Sequence, residues 1–219
     1  AEDELENGNF RIRLSARFFM GHSHDGEIRF DADGTSMSIP FMRQEKGKLL
    51  SLSDFVSNDG NSPGSPFGVF AISVHTATQA HEEGCCCPAC SNKYEDLIAK
   101  AVRMTLAEAA SKWLEKEILS PTRDDTKIIK PAAGYSSCPD HTLKQDIIDM
   151  LDGRFRLGIK LTESYAMIPE ASICGLIILH PQARYHEIRR ISSGQYEDYA
   201  SRRGMDEDRA RRFLGHLLK

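Results

Sequence analysis

Residues 27–42, EIRFDADGTSMSIPFM, predict two strands joined by a tight turn. The runs EIRF and SMSIPFM flank DADGT, in which Gly34 can adopt the positive φ that a hairpin turn needs. Two strands joined by so short a turn run antiparallel. This stretch therefore places an antiparallel pair near the start of the chain, and the remaining elements are interpreted around it.

Other strands and helices surround this hairpin without the regular alternation of a parallel α/β sheet. Residues 9–19, NFRIRLSARFF, have apolar residues at alternate positions, as in a half-buried strand, and residues 65–75, SPFGVFAISVH, predict a buried strand. Apolar residues then recur every three or four positions along a long helix that starts near Ser91. Residues 142–153, 195–204 and 206–218 predict further helices, the first closed by Gly153. The sequence thus predicts an α+β fold, with one domain spanning residues 1–219.

Composition excludes several classes of protein. The chain has 219 residues, of which 40% are hydrophobic and 27% charged, and its net charge is -4. No apolar run approaches the roughly 20 residues that span a bilayer, and no secretory signal opens the sequence, so a cytoplasmic protein is expected. Acidic residues interleave with the arginines of RRGMDEDRARR, residues 202–212, which argues against a DNA-binding helix pair.

The densest set of chemically special residues is KPAAGYSSCPDHT, residues 130–142. Two prolines and a glycine restrict its backbone, and Tyr135, Cys138, Asp140 and His141 add titratable groups. One interpretation is a rigid loop that presents backbone groups to a ligand. The alternative is a tight turn in which Asp140 caps the next helix. Cys138 and His141 also have metal-ligand spacing, although one pair is weak evidence for a site.

Several motifs, in order, resemble the activation domain of cobalamin-dependent methionine synthase. KPAAGYSSCPDHT is similar to that family's R-P-A-x-G-Y-P-x-C-P-D-H-T, and LTESYAMIPEASICG, residues 161–175, to its L-T-E-S-x-A-M-x-P-x-A-S-x-x-G. HPQARY, residues 180–185, and QYEDYASRRGM, residues 195–205, continue the likeness. Upstream, LSLSDFV, GVFAISV and LAEAASKWL match more thinly. The resemblance implies a bent antiparallel sheet flanked by helices.

The resemblance also implies a function in the repair of cobalamin. In that family the domain binds S-adenosylmethionine and supports the reductive methylation of oxidised cob(II)alamin, with an electron from a flavodoxin-like donor. The cofactor carries the difficult chemistry, so the protein has to hold the methyl donor in an attack geometry. No acid, base or nucleophile of the protein is required, and no catalytic residue is predicted.

The family pattern implies which residues of this chain bind S-adenosylmethionine. Asp54 corresponds to an aspartate that would bind the ammonium group, and its ordinary role would be helix capping. Glu108 corresponds to an acid that lines the pocket, and would otherwise be a solvated helix residue. Six more residues would complete the site: a cation at Lys130, backbone groups at Ala132 and Gly134, a ring at Tyr135, and a second wall at Tyr185 and His186.

Two of these positions depart from the family pattern. Lys130 stands where the family has arginine, and a lysine can neutralise a carboxylate but lacks the two-pronged geometry of a guanidinium. His186 stands where the family often has a second tyrosine, so that contact is expected through the backbone. The sequence also lacks the D-x-H-x-x-G motif of the synthase's cobalamin module. The chain is then either a piece of a larger enzyme or a separately encoded activation subunit, and we expect the second, docking on a cobalamin-bearing methionine synthase module or another corrinoid protein.

The cysteine-rich segment at about residues 79–92 has no counterpart in the family and is interpreted as a divergent insertion. Cys87 and Cys90 have the C-x-x-C spacing of a metal site, which His75 and His81 could complete as zinc ligands, and an iron-sulfur centre is a further possibility. The histidines and aspartate of HSHD, residues 22–25, offer another weak metal hypothesis. These residues support an alternative function, a metal- or redox-sensing binding protein on the same scaffold.

Overall fold

The computed structural model describes residues 10–57, 64–76, 93–119 and 125–219. Its strands include the predicted hairpin, in which Asp33 and Gly34 both have positive φ, at 55° and 80°. The strands are Phe10–His24 (β1), Glu27–Ala32 (β2), Thr35–Pro40 (β3), Ser65–Thr76 (β4), Lys127–Ile129 (β5), Lys160–Leu161 (β6), Met167–Ile168 (β7) and Ser172–His180 (β8). The helices are Lys93–Trp113 (α1), Leu143–Met150 (α2), Gly153–Arg156 (α3), Ser193–Arg202 (α4) and Glu207–Leu214 (α5).

Within the described residues, one sheet has six strands in the order β3-β2-β1-β4-β8-β5. Every neighbouring pair in this sheet is antiparallel, and β6 and β7 form a separate antiparallel pair. In the central strand, Ile72 pairs with Leu14 of β1 and with Ile173 of β8. The prediction of an α+β fold with an antiparallel sheet flanked by helices is confirmed.

The central strand β4 is buried on both faces, which explains its unbroken apolar sequence. Phe67, Val69 and Ala71 face a core that α2 and the loops after it complete. Phe70 and Ile72, one position out of phase, face a second core on the α1 side of the sheet. Because both faces are covered, β4 holds the helices of the two sides in fixed positions.

Helix α1 forms where the apolar spacing predicted it, but a narrower face of it is buried. Ala107 of α1 and Leu114, just after its end, pack against the sheet, whereas Leu97 is 63% exposed and Trp113 is 54% exposed. Helix α2 also ends earlier than expected, at Met150, and Gly153 begins α3 instead of closing α2.

The C-terminal helices α4 and α5 form a third core beside β3. Met42, Ile188, Tyr199 and Leu214 are buried together there. This core holds the segment after β3 against the segment after β8, which brings residues far apart in sequence to one edge of the sheet. Among the described residues, no helix is long and apolar enough to cross a membrane.

Candidate functional site

Asp54 lies in a short 3-10 helix, Leu52–Phe55, and its carboxylate holds two partners. Its Oδ2 accepts a hydrogen bond of 2.9 Å from the backbone N–H of Ser51, as in a capping box. The Arg43 guanidinium donates through Nη1 to Oδ2 at 2.6 Å and through Nη2 to Oδ1 at 2.5 Å. Burial raises the pKa of the Asp54 carboxyl, but the hydrogen bonds from Arg43 and Ser51 outweigh it and the net pKa is lowered. The carboxylate is therefore ionised and partly buried.

A cavity of about 550 Å³ opens beside Asp54. Arg202, which also lines this cavity, bonds Asp198 at 3.0 Å through Nε and Asp25 at 2.8 Å through Nη2. The lining residues are Ser23, Asp25, Gly26, Pro40, Phe41, Arg43, Asp54, Gln195, Asp198, Tyr199 and Arg202. Carboxylates and guanidinium groups in one cavity suit a small ligand that carries charges of both signs.

The loop from Lys130 to Cys138 is attached to β8 by its backbone. The carbonyl of Pro131 accepts from Leu176 N–H at 3.0 Å, and Ala132 forms a bridge with Gly175. The strand needs a glycine there, because a Cβ on Gly175 would lie 2.5 Å from the Pro131 carbonyl oxygen. Close backbone contact thus fixes Ala132 at the sheet edge.

After Ala132 the loop makes a tight turn that leaves one ring exposed. Gly134 has a φ of 91° and donates its N–H to the Cys138 carbonyl at 2.7 Å. The His141 ring occupies the space where a Cβ of Gly134 would project, with ring atoms only 2.4 Å from that position. Tyr135, at the turn, is 72% exposed. The turn therefore presents a flat aromatic surface on a rigid backbone.

Lys130 joins this loop to α1 and to the segment after β8. Its ammonium bonds the Ser111 carbonyl, the Ser111 Oγ at 3.0 Å and the Glu115 carboxylate at 3.0 Å. Its backbone N–H donates to the Tyr185 hydroxyl at 2.8 Å. The Lys130 side chain is only 9% exposed, so most of its charge faces protein partners.

Tyr185 and His186 follow β8 and contact the loop at Lys130 and Ser137. Tyr185 is 61% exposed and His186 only 9%. The Ser137 hydroxyl donates to the His186 carbonyl, and the Ser137 Oγ accepts a hydrogen bond from the His186 N–H at 3.2 Å. The His186 ring lies 6.3 Å from the Phe55 ring, centroid to centroid. The contact of His186 with the loop is thus made by its backbone. Burial lowers the pKa of His186, which favours the neutral form of its packed ring.

The structure brings most of the predicted binding residues into one connected strip. From Asp54 the strip runs through the ring contact of the neighbouring Phe55 with His186 to the loop that begins at Lys130, which His186 bonds at Ser137 and Tyr185 at Lys130. Glu108 is exposed on α1, three residues before Ser111 and on the same helix face. It therefore flanks the Lys130 end of the strip, although the structure gives it no contact with the loop.

A buried polar network beside the strip was not predicted. Asp140 is 1% exposed and accepts hydrogen bonds from the Thr142 hydroxyl at 2.9 Å and the Tyr199 hydroxyl at 2.9 Å. Arg203 bonds the same carboxylate at 3.2 Å and Asp146 at 2.5 Å. Asp140 also accepts from the Thr142 N–H at 2.7 Å, but Thr142 is the N-cap residue of α2, so the prediction that Asp140 caps this helix is wrong and the carboxylate serves the network instead. The sequence signal for this network was that Asp140 and Arg203 both lie within motifs shared with the family.

The metal hypotheses receive no support from the described residues. In that part of the chain, no three His, Cys, Asp or Glu side chains are grouped so as to hold a metal ion. Cys87, Cys90 and His81 lie outside the described residues. His75 bonds the Leu157 carbonyl at 2.7 Å, and burial raises the pKa of the Cys138 thiol, so neither side chain is prepared as a ligand.

Comparison with known proteins gives two findings. The sequence model of the family described as vitamin B12 dependent methionine synthase, activation domain, matches residues 2–204. The crystal structure of the MetH reactivation domain bound to AdoHcy superposes with a TM-score of 0.84 and 27% sequence identity. That match covers 99% of this chain and 73% of the other chain.

Proposed function

This chain belongs to the activation domain family of vitamin B12-dependent methionine synthase, and from that premise we propose that it binds S-adenosylmethionine and supports the reactivation of oxidised cobalamin. The observation that carries the proposal is the connected strip: its acid at Asp54 and its exposed ring and rigid backbone at residues 132–135 come from sequence segments about 80 residues apart and are linked through His186. The similar MetH domain was solved with AdoHcy, the demethylated form of this ligand.

The chemistry of the strip fits the ligand. Asp54, ionised and partly exposed, would bind the ammonium group. The exposed ring of Tyr135 would stack on adenine, with Tyr185 as the second wall and Ala132 and Gly134 offering backbone groups. Glu108 and Lys130 complete the proposed binding residues near α1. The buried His186 would support the loop through its backbone.

The role of the protein in this proposal is to bind and orient the methyl donor. Cobalamin, carried by a methionine synthase module or another corrinoid partner, would supply the reduced cobalt that accepts the methyl group. A flavodoxin-like protein would supply the electron. The reaction would take place in the cytoplasm and would involve neither nucleic acid nor a membrane. The metal- or redox-sensing alternative has no supporting observation among the described residues.

Calorimetric titration with S-adenosylmethionine tests this proposal. Asp54→Ala removes the carboxylate that would bind the ammonium, so we expect affinity to fall at least about tenfold. Asp33→Ala is the matched control, because Asp33 is also paired with an arginine, Arg17, but lies on the hairpin turn away from the strip. Wild-type protein that binds no S-adenosylmethionine, or equal affinity in both variants, would contradict the proposal.

A further inference from the structure

The Arg43 guanidinium donates three of its five N–H groups to protein acceptors. Asp54 occupies the end formed by Nη1 and Nη2, and the Leu49 carbonyl accepts the other Nη1 hydrogen at 2.7 Å. Among the described residues, nothing accepts a hydrogen bond from Nε or from the second hydrogen of Nη2. These two donors lie on one side of the planar group, and that edge matches a carboxylate in two-pronged geometry.

Arg43 is also held in place and accessible. Its backbone N–H donates to the Gln195 Oε1 at 2.6 Å, and its backbone forms a bridge with Ser51. Its side chain is 44% exposed and lines the cavity of about 550 Å³ beside Asp54. The free edge is therefore preorganised at the surface of a cavity.

Two other cations, Lys130 of the strip and Arg202 of the cavity lining, are committed to protein partners. Lys130 bonds Ser111 and Glu115 and is 9% exposed. Arg202 uses Nε on Asp198, Nη2 on the Asp25 carboxylate and Nη1 on the Asp25 carbonyl. A ligand carboxylate entering the cavity thus meets its best unoccupied donor pair on Arg43.

We propose that Arg43 and Asp54 together bind the zwitterionic end of an adenosyl amino acid. The Nε and Nη2 edge of Arg43 takes the α-carboxylate, and the Oδ1 of Asp54, which has accepted one hydrogen bond from the protein, takes the α-ammonium. The pair selects ligands that carry both charges. This inference rests on the proposed function, and it assigns the carboxylate contact that Lys130 is poorly placed to make alone.

Binding measured for two ligands and two variants tests the inference. We would titrate wild-type protein and Arg43→Gln with S-adenosylhomocysteine and with its decarboxylated analogue, which keeps the amine and the nucleoside. Arg43→Gln should weaken S-adenosylhomocysteine by about 10- to 100-fold and the analogue by less than about threefold. Arg189→Gln is the control, since Arg189 pairs with Glu187 at the surface.

The outcomes separate the inference from the proposed function. A loss confined to the carboxylate-bearing ligand supports the inference, because damage to the fold or to Asp54 would weaken both ligands. Equal losses of affinity for both ligands in Arg43→Gln, or no loss, would overturn the role of Arg43. The proposal that the wild-type protein binds S-adenosylmethionine would still stand. Wild-type protein that binds neither nucleoside would overturn both.

Discussion

The space above His141 decides which residue can occupy position 134. Gly134 has a φ of 91°, and a Cβ there would lie 2.4 Å from two atoms of the His141 ring. Such a contact requires either the ring or the loop to move. The loop is attached to β8 on one side and closed by the Cys138 carbonyl on the other. Position 134 is therefore a point at which the shape of the site depends on the absence of a side chain.

We predict that Gly134→Ala lowers the free energy of unfolding by about 2 kcal/mol or more, because it combines a steric clash with an unfavourable φ. Urea denaturation measures this change. Gly194→Ala is the control: Gly194 lies in α4 and a Cβ there meets nothing within 4 Å. That variant should keep or slightly raise stability, since alanine favours helix. Equal destabilisation of both variants would show that the contact with His141 is unimportant.

At the scale of elements, the Asp140 network fastens α4 to the segment that begins α2. Tyr199 and Arg203 reach from α4 and its end to Asp140, across a sequence separation of 59 and 63 residues. The same segment leads directly from the loop of residues 130–138 into α2. The network therefore holds α4 against the residues that directly follow the proposed binding loop.

Removing one donor of this network should cost stability. Tyr199→Phe leaves the buried Asp140 carboxylate with one hydrogen bond fewer, and we expect a loss of about 1–3 kcal/mol in the free energy of unfolding. Chemical denaturation with an unchanged m-value checks it. Tyr196→Phe is the control on the same helix, because no hydrogen bond of the Tyr196 hydroxyl is found among the described residues. A similar loss in both variants would argue for packing instead of the hydrogen bond.

Local sequence predicted the elements better than it predicted their contacts. The hairpin at Asp33 and Gly34 and the existence of α1 follow from turn chemistry and apolar spacing, which act over a few residues. The exposure of Leu97 and Trp113 does not follow from spacing, because it depends on how much of α1 the sheet covers.

The candidate site shows the same limit. Family motifs indicated Asp54 and the loop near Lys130, yet the pairing of Asp54 with Arg43 and of Lys130 with Ser111 was not predicted. Those partners lie 11 and 19 residues away in sequence, in different elements. Their pairing is set by tertiary packing, which no local pattern encodes.

For the whole molecule, a buried neutral histidine links stability to pH. The pKa of His186 is lowered from its usual value near 6.5, mainly because burial disfavours the protonated ring. A lowered folded-state pKa means that the unfolded chain binds protons first as the pH falls. The stabilisation is therefore complete above about pH 6.5 and is lost progressively below it.

We predict that the wild-type protein loses stability between pH 7.5 and pH 5.5, and that His186→Gln removes up to about 1 kcal/mol of that loss. Denaturation at the two pH values measures the difference. His24→Gln is the control, because His24 is exposed at the end of β1. An unchanged pH dependence in His186→Gln would contradict the assignment to this residue.

The pairing of β4 with β8 has a consequence for the order of folding. Ile72 and Ile173 pair across about one hundred residues, and the proposed binding strip draws on segments from both sides of that pairing. Contacts so distant in sequence close slowly, because a long loop must first lose its conformational freedom. A ligand that contacts all of these segments should find no complete binding site in early folding intermediates. We therefore expect it to lower the unfolding rate, which lengthens the lifetime of the native state, and to leave the refolding rate unchanged.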